Sequence, residues 1–149
     1  MPKYPDAAGA ILVHRQTGKV LLQHRTEDAP EKPGMWSFFG GAVEVGESPS
    51  DTAARELREE LCLFLTPHLV LFGTEVIRDA DAVIRTRYFF IGHTDYDELW
   101  LRKYQQEGQG LGFFDEEESN ALHMDEQDRL VLLMYFDSVR ESGKSRRVS

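Results

Sequence analysis

The chain has 149 residues, 41% of them hydrophobic, and carries 26 acidic against 17 basic side chains for a net charge of −9. This excess of acid argues against general binding to a nucleic-acid backbone, which requires a basic surface. No apolar run approaches the ~18 residues that a membrane-spanning helix needs, and residues 1–6 lack the apolar stretch of a secretory leader. We therefore expect one domain over residues 1–149. The single cysteine, Cys62, favours a reducing compartment, the cytoplasm.

The first third of the chain predicts three strands. Two apolar runs, 8–14 and 20–25, are separated by a short polar turn and are typical of a β-hairpin. Trp36, Phe38 and Phe39 follow a proline-containing loop and predict a third strand. We expect Phe38 and Phe39 in the core. Trp36, close to the mouth of the expected cleft, either stacks on a substrate base or packs at the rim of the core.

An acidic helix of about three turns is predicted next. Ser48 is a favourable N-cap, Pro49 suits the first helical position, and Asp51 completes a capping box with a shorter acid. At ~100° per residue its side chains divide into arcs, one apolar and one acidic. The acidic arc holds Glu56, Glu59 and Glu60.

Three carboxylates on one arc repel one another, and only Arg55 has the spacing to relieve Glu59 within the helix. A hard divalent cation with oxygen ligands, Mg²⁺ or Mn²⁺, would neutralise such a cluster. The alternative is a solvated surface face, because charged runs commonly face water. Gly40 and Gly41, shortly before the helix, favour the metal interpretation, since their backbone can approach a phosphate group closely.

The spacing of these residues resembles the signature of the Nudix hydrolase family. It reads Gly41, five residues, Glu47, seven residues, the run Arg-Glu-Leu-Arg-Glu-Glu at 55–60, one residue, and then Cys62 and the apolar Leu63. One position departs from the pattern, because Cys62 stands where the family has a glycine. The resemblance implies an α/β/α sandwich with a central mixed β-sheet, and the order of predicted strands and helices favours the same α/β architecture.

The resemblance also implies roles for the individual residues. The three glutamates of the acidic arc match the metal ligands, with Glu59 or Glu60 also a candidate base. Arg55 and Glu47 match a pair that braces the loop against the helix. Cys62 matches a helix-ending position with a left-handed backbone, where a side chain costs roughly 1 kcal/mol.

The second half of the chain predicts a long hairpin over 69–78 and 82–93 and a C-terminal helix over 125–140. Arg85 and Arg87 alternate onto one face of the second strand, where they either clamp substrate phosphates or decorate a solvent-facing strand. Glu107, in a glycine-rich loop, resembles a carboxylate that MutT-type Nudix enzymes use as metal ligand or base. It is otherwise a plain loop glutamate.

The combined expectation is metal-dependent hydrolysis of a diphosphate linkage in a nucleoside diphosphate joined to another group. Glu60 or Glu107 would accept the proton of the attacking water. One alternative is an isoprenyl diphosphate isomerase, which shares the fold and needs a cysteine in its pocket. The other is a nucleotide-binding module without catalysis. We expect a small nucleotide as partner, no membrane and no long nucleic acid, and a homodimer remains open.

Overall fold

The computed structural model describes residues 4–62, 68–106 and 108–148. Within these ranges the chain forms seven strands and four helices. The strands are β1 Ala7–His14, β2 Val20–His24, β3 Trp36–Ser37, β4 Phe39–Ala42, β5 Val70–Asp79, β6 Ala82–Thr94 and β7 Gly110–Phe114. The helices are α1 Pro49–Leu61, α2 Glu98–Tyr104, α3 Glu116–Ser119 and α4 Glu126–Val148.

The strands build one mixed sheet in the order β3-β2-β1-β6-β5, in which β4 also pairs with β1 and β7 with β2. Strands β1 and β6 run parallel, and the other pairs are antiparallel. Both predicted hairpins are confirmed, as β1-β2 and β5-β6. The predicted third strand is divided, because Trp36–Ser37 pairs with β2 whereas Phe39–Ala42 pairs with β1.

Both faces of the sheet carry apolar side chains, and helices pack against each face and cover them. On one face Ala10 and Leu12 of β1 pack with α1 and with Leu101 of α2. On the other face Ile11 and Val13 pack with the apolar side of α4. Because successive residues of a strand point to opposite faces, β1 contributes to both cores. The α/β/α sandwich is confirmed.

The boundaries of α1 follow the local sequence. The Ser48 hydroxyl accepts from the Asp51 amide at 3.1 Å, and the Asp51 carboxylate accepts from the Ser48 amide at 3.2 Å, so the predicted capping box is confirmed. The helix ends at Cys62, whose backbone is left-handed with φ 54° and ψ 33°. The chain therefore keeps the conformation of a helix-ending glycine although it carries a side chain there.

The C-terminal helix is longer than predicted. It begins at Glu126, as the sequence indicates, but it continues to Val148 instead of ending near Arg140. Only Gly143 weakens the helix between these two positions, and no proline stops it. Tyr135 and Phe136 lie on the side of α4 that packs against the sheet, so this helix forms one wall of the space above β1 and β6.

Candidate active site

Arg55 joins the loop that precedes α1 to the helix itself. Its Nε donates to Glu47 Oε2 at 2.7 Å, and its Nη2 donates to Glu47 Oε1 at 3.0 Å and to the Ala42 carbonyl at 3.2 Å. Glu47 also accepts from the Thr52 hydroxyl and from the Glu44 amide. Arg55 and Glu47, the two residues that the motif pairs, therefore form a bidentate ion pair between helix and loop.

This ion pair sets the ionisation of Glu47. The hydrogen bonds from Arg55, followed by the bond from the Glu44 amide, lower the pKa of the Glu47 carboxyl from 4.5 to about 2. In return the Glu47 carboxylate raises the pKa of Arg55 above its usual value. Both groups are therefore charged at neutral pH, where the ion pair is intact.

The three glutamates of the acidic arc differ in their surroundings. Arg55 Nη1 lies 2.9 Å from Glu56 Oε1 and 3.2 Å from Glu59 Oε2, so two of the carboxylates share one cation, which reduces their repulsion without removing their net negative charge. The Glu59 side chain is 59% exposed, whereas Glu60 is buried and only 4% exposed. Within residues 4–62, 68–106 and 108–148, no three acidic, histidine or cysteine side chains lie close enough together to hold one metal ion.

The chemistry of these side chains nevertheless suits a hard cation, because every donor is a carboxylate oxygen. The position of Glu56 adds a structural reason. A Cβ placed on Gly41 would lie closer than 3.0 Å to the Glu56 carboxylate, so this carboxylate rests in a cradle that a side chain at Gly41 would fill. The oxygen-only donors are thus of the chemical type that a hard divalent cation prefers, but the three carboxylates do not converge on one point in this structure.

Gly40 serves a different purpose from Gly41. A Cβ on Gly40 would lie closer than 3.0 Å to the Ala8 carbonyl oxygen and to the Gly9 Cα. The absence of a side chain at Gly40 thus allows β4 to pack tightly against β1. Both glycines also line the neighbouring cleft, where their backbone is open to a ligand.

A cleft of about 420 Å³ lies over β1, β4 and β6, beside the beginning of α4. It brings together Gly40, Gly41, Arg85 and Arg87, four of the five residues that the sequence proposes for substrate binding. Further charged residues of the lining lie outside any motif, and sequence reasoning missed them. They are Arg25, Glu31, Lys32, Asp125 and Asp128. Only the folding of residues 25–34 and of the chain from 125 onwards against the sheet places them here.

Trp36, the fifth residue, lies away from this cleft. Its ring stacks on His24 with centroids 4.6 Å apart and meets the edge of the Phe114 ring at 5.0 Å. It also packs against the core cluster beneath α4. These contacts correspond to the rim-packing interpretation of Trp36.

The two arginines of β6 have different partners. Arg87 is ion-paired with Asp128 and lies 3.5 Å from Glu75. Arg85 donates to the Pro5 carbonyl at 3.1 Å and lies over the Tyr4 ring, 5.6 Å from its centroid. The predicted pair thus shares the cleft, but one member is neutralised by carboxylates and the other is held by backbone and ring.

Two further candidates are placed as follows. Glu107 lies outside the described residues. The backbone N–H of the preceding residue, Gln106, donates to the Glu60 backbone carbonyl at 2.8 Å. Cys62 Sγ lies 3.8 Å from the Tyr104 carbonyl and 3.6 Å from Gln106 Nε2, and Cys62 is absent from the lining of the cleft. An isomerase with this cysteine in the pocket is not favoured.

In the part of the chain that the structure describes, no helix combines the length and the apolar character needed to cross a membrane.

The chain is similar to several proteins of known sequence or structure, among them two curated relatives and one solved structure. A CTP pyrophosphohydrolase of Escherichia coli (strain K12) is 44% identical over 52 residues, which is 35% of this chain and 37% of that protein. The nucleoside triphosphatase NudI of Escherichia fergusonii is 46% identical over 44 residues, 30% of this chain and 31% of the relative. The chain spans about a third of the length of the curated relatives it matches.

The fold is shared more widely than the sequence. A MutT protein from Methanosarcina mazei Go1 superposes with a TM-score of 0.73 at 21% identity, covering 93% of this chain and 96% of that one. The family model of the NUDIX domain matches residues 3–135, which include α1, its preceding loop and every strand described above. The chain belongs to the NUDIX domain family.

Proposed function

We propose that this protein hydrolyses the diphosphate linkage of a compound in which a nucleoside diphosphate is joined to another group, X. One observation carries this proposal: Gly41 touches the Glu56 carboxylate on one side and lines the cleft on the other. A ligand whose diphosphate lies on the backbone of β4 is therefore next to the acidic arc of α1. The names of the two curated relatives, a CTP pyrophosphohydrolase and a nucleoside triphosphatase, support nucleotides as the substrate class.

Glu56, Glu59 and Glu60 would hold Mg²⁺ or Mn²⁺ once their side chains turn towards one another, because the described rotamers do not converge. When bound, such an ion neutralises diphosphate oxygens and lowers the pKa of a water molecule. Arg55 keeps Glu56 and Glu59 close to the loop backbone through its contacts of 2.9 and 3.2 Å. A carboxylate of Glu59, Glu60 or Glu107 would accept a proton from the attacking water. Water adds its oxygen to one phosphorus, the bridging P–O bond breaks, and two phosphorylated products leave.

We infer in addition that residues 1–149 act as one catalytic domain on a small nucleotide in the cytoplasm. The single cysteine and the net charge of −9 support a reducing compartment and a small substrate in preference to long nucleic acid. A homodimer is compatible with this proposal, and light scattering of the purified chain tests it.

The experiment is a phosphate-release screen over nucleoside triphosphates, nucleotide sugars, ADP-ribose and dinucleoside polyphosphates, with Mg²⁺, Mn²⁺ or EDTA. We expect turnover with either ion and none with EDTA. Glu60→Gln should lower kcat about 100-fold or more, and Glu107→Gln is measured beside it. The control is Glu117→Gln, which changes an exposed glutamate outside the cleft lining.

Two outcomes would contradict the proposal. Turnover that survives EDTA would remove the metal from the reaction. No turnover of any compound, together with a thermal midpoint that Mg²⁺ leaves unchanged, would favour a binding module without catalysis.

A further inference from the structure

The cationic residues of the cleft differ in whether a carboxylate of the protein already neutralises them or whether they are available to bind an anion. Arg87 is neutralised, since Asp128 and Glu75 both contact its guanidinium. Asp128 also accepts from Lys32 Nζ at 3.0 Å, and its side chain is only 2% exposed. These ion pairs link β6, α4 and the 26–34 loop, so an incoming anion would have to displace a buried carboxylate to reach Arg87.

Arg85 is available to bind an anion. The Nε of Arg85 donates to the Pro5 carbonyl. Among the described residues, neither of its terminal nitrogens has a hydrogen-bond partner or a carboxylate within ion-pair distance. The two terminal N–H groups of a guanidinium are the pair that binds phosphate in a bidentate manner. In a chain with a net charge of −9, an arginine that faces the cleft and is not paired with a carboxylate is well placed to bind an anionic ligand.

The N-terminal segment holds Arg85 in this position. Tyr4 donates its amide to the Ile84 carbonyl at 2.9 Å, and its ring lies beneath the Arg85 guanidinium. The Asp6 carboxylate accepts from the Thr86 amide at 3.2 Å, which fastens the same segment beside β6. Arg85 is therefore oriented before any ligand arrives, and this reduces the entropy that binding would cost.

The register of the strands separates Arg85 from the proposed diphosphate position. Gly41 pairs with Ala8, and Ala8 pairs with Tyr88, two strands across from Gly41. Arg85 lies three residues before Tyr88 in β6, so its Cα is roughly 14 Å from that of Gly41 at ordinary strand spacing. A long arginine side chain at this distance could reach an anionic group of a substrate beyond the diphosphate that lies on Gly41.

We propose that Arg85, positioned by Tyr4 and Pro5, selects substrates in which group X is itself anionic. This rests on the proposed function and deepens it. A nucleoside triphosphate, whose X is a phosphate, is preferred over a nucleotide sugar, whose X is a neutral hexose. Arg87 is a structural residue and does not contribute to this selection.

The test compares UTP with UDP-glucose, which share the nucleoside and differ in X. Arg85→Ala should raise KM for UTP about tenfold with little change in kcat, because a lost charged hydrogen bond of ~1.5 kcal/mol corresponds to that factor. KM for UDP-glucose should change by less than about twofold, and Arg85→Lys should restore part of the UTP affinity. The control is Arg78→Ala, which removes an exposed arginine from neighbouring β5 and should leave both substrates unaffected.

Tyr4 is tested as a positioning residue. Tyr4→Ala should raise KM for UTP in the same direction as Arg85→Ala, whereas Tyr4→Phe keeps the ring and should behave as the wild type. Thermal midpoints of all variants show whether the fold is intact. An equal KM change for the two substrates in Arg85→Ala, or no change in either, would overturn the assignment.

Calorimetric binding in EDTA separates this proposal from the proposed function. If the wild type turns over neither compound, the catalytic proposal fails. The assignment of Arg85 is then tested by binding alone, from the dissociation constants of UTP and UDP-glucose measured for the wild type and for Arg85→Ala. A wild type that binds both ligands equally, or neither, contradicts the selection.

Discussion

Arg55 is within hydrogen-bond distance of Glu47, Glu56 and Glu59, so one guanidinium offsets the repulsion that the acidic arc creates. The sequence predicts only one of these contacts within the helix, the i,i+4 pair with Glu59. The contact with Glu47 follows from the family resemblance. The contact with Glu56 depends on how the side chain turns in the folded protein.

The ion pair between Arg55 and Glu47 predicts a dependence of stability on pH. A carboxyl whose pKa falls from 4.5 to about 2 on folding adds stability above pH 4.5. That stability is lost as the pH falls towards 2. Urea unfolding at a series of pH values should therefore show a shallower acid loss for Glu47→Gln than for the wild type. Glu117→Gln, which changes an exposed glutamate, should retain the steep loss. Parallel profiles for Glu47→Gln and the wild type would contradict the assignment.

Cys62 allows a second test at the scale of one residue. Its φ of 54° is a conformation that costs a side-chain-bearing residue roughly 1–2 kcal/mol, part of which the greater unfolded-state entropy of glycine offsets. Cys62→Gly should therefore raise the free energy of unfolding by about 0.5–1 kcal/mol in urea denaturation. Cys62→Ala removes the same sulfur contacts but keeps Cβ, so it should give no gain. Equal effects of the two changes would show that the backbone conformation is not responsible.

At the scale of the element, two adjacent glycines of β4 have different roles: Gly40 allows close strand packing, and Gly41 leaves room for a carboxylate of the proposed metal site. At Gly40 an added Cβ meets the backbone of β1, and at Gly41 it meets the end of a flexible side chain. A backbone can yield only if the strands move apart, whereas a carboxylate can swing away. The two alanine variants should therefore fail in different ways.

Gly40→Ala should lower the free energy of unfolding by about 1–3 kcal/mol, the usual cost of forcing extra atoms into a packed region. Gly41→Ala should lose little stability but should weaken Mg²⁺ binding and turnover, since Glu56 has to leave its cradle. Urea denaturation and Mg²⁺ titration by calorimetry measure the two effects. A Gly41→Ala protein with unchanged Mg²⁺ affinity would remove Glu56 from the proposed metal site.

At the scale of the whole molecule, a buried charge network holds α4 against the sheet. Asp128 of α4 contacts Arg87 of β6 and Lys32 of the 26–34 loop, and the Arg87 and Asp128 side chains are 11% and 2% exposed. Lys32 has a positive φ of 51°, so the loop adopts a strained conformation while it makes this contact. Burial raises the pKa of nearby Glu75, and Arg87 opposes this shift.

Removal of the Asp128 carboxylate should leave the charges of Arg87 and Lys32 without this partner. Asp128→Ala should lower the free energy of unfolding by about 3 kcal/mol, because Arg87 would remain largely buried without its main carboxylate. Gln127→Ala, one residue earlier in the same helix, is the matched control and should change stability by less than about 0.5 kcal/mol. Chemical denaturation measures both. A small effect of Asp128→Ala would mean that water reaches Arg87 and replaces the carboxylate.

Local interactions account for what the sequence predicts well. The cap at Ser48, the acidic arc of α1 and the alternation of Arg85 and Arg87 all depend on residues a few positions apart, and backbone geometry relates such residues directly. The division of the third strand at Phe38 was missed, since it depends on which neighbour each half pairs with. The continuation of α4 beyond Arg140 was missed as well.

By itself, then, the sequence determined the family, the sandwich and the helix that carries the glutamates, because a repeated spacing imposes one face on a helix or strand. Only the tertiary structure decided which charges are available. It neutralised Arg87 with Asp128, 41 residues away, left Arg85 beside Tyr4, and placed Arg25 and Lys32 in the same cleft. These contacts join segments far apart in the chain, and their energies depend on burial, which no local pattern records.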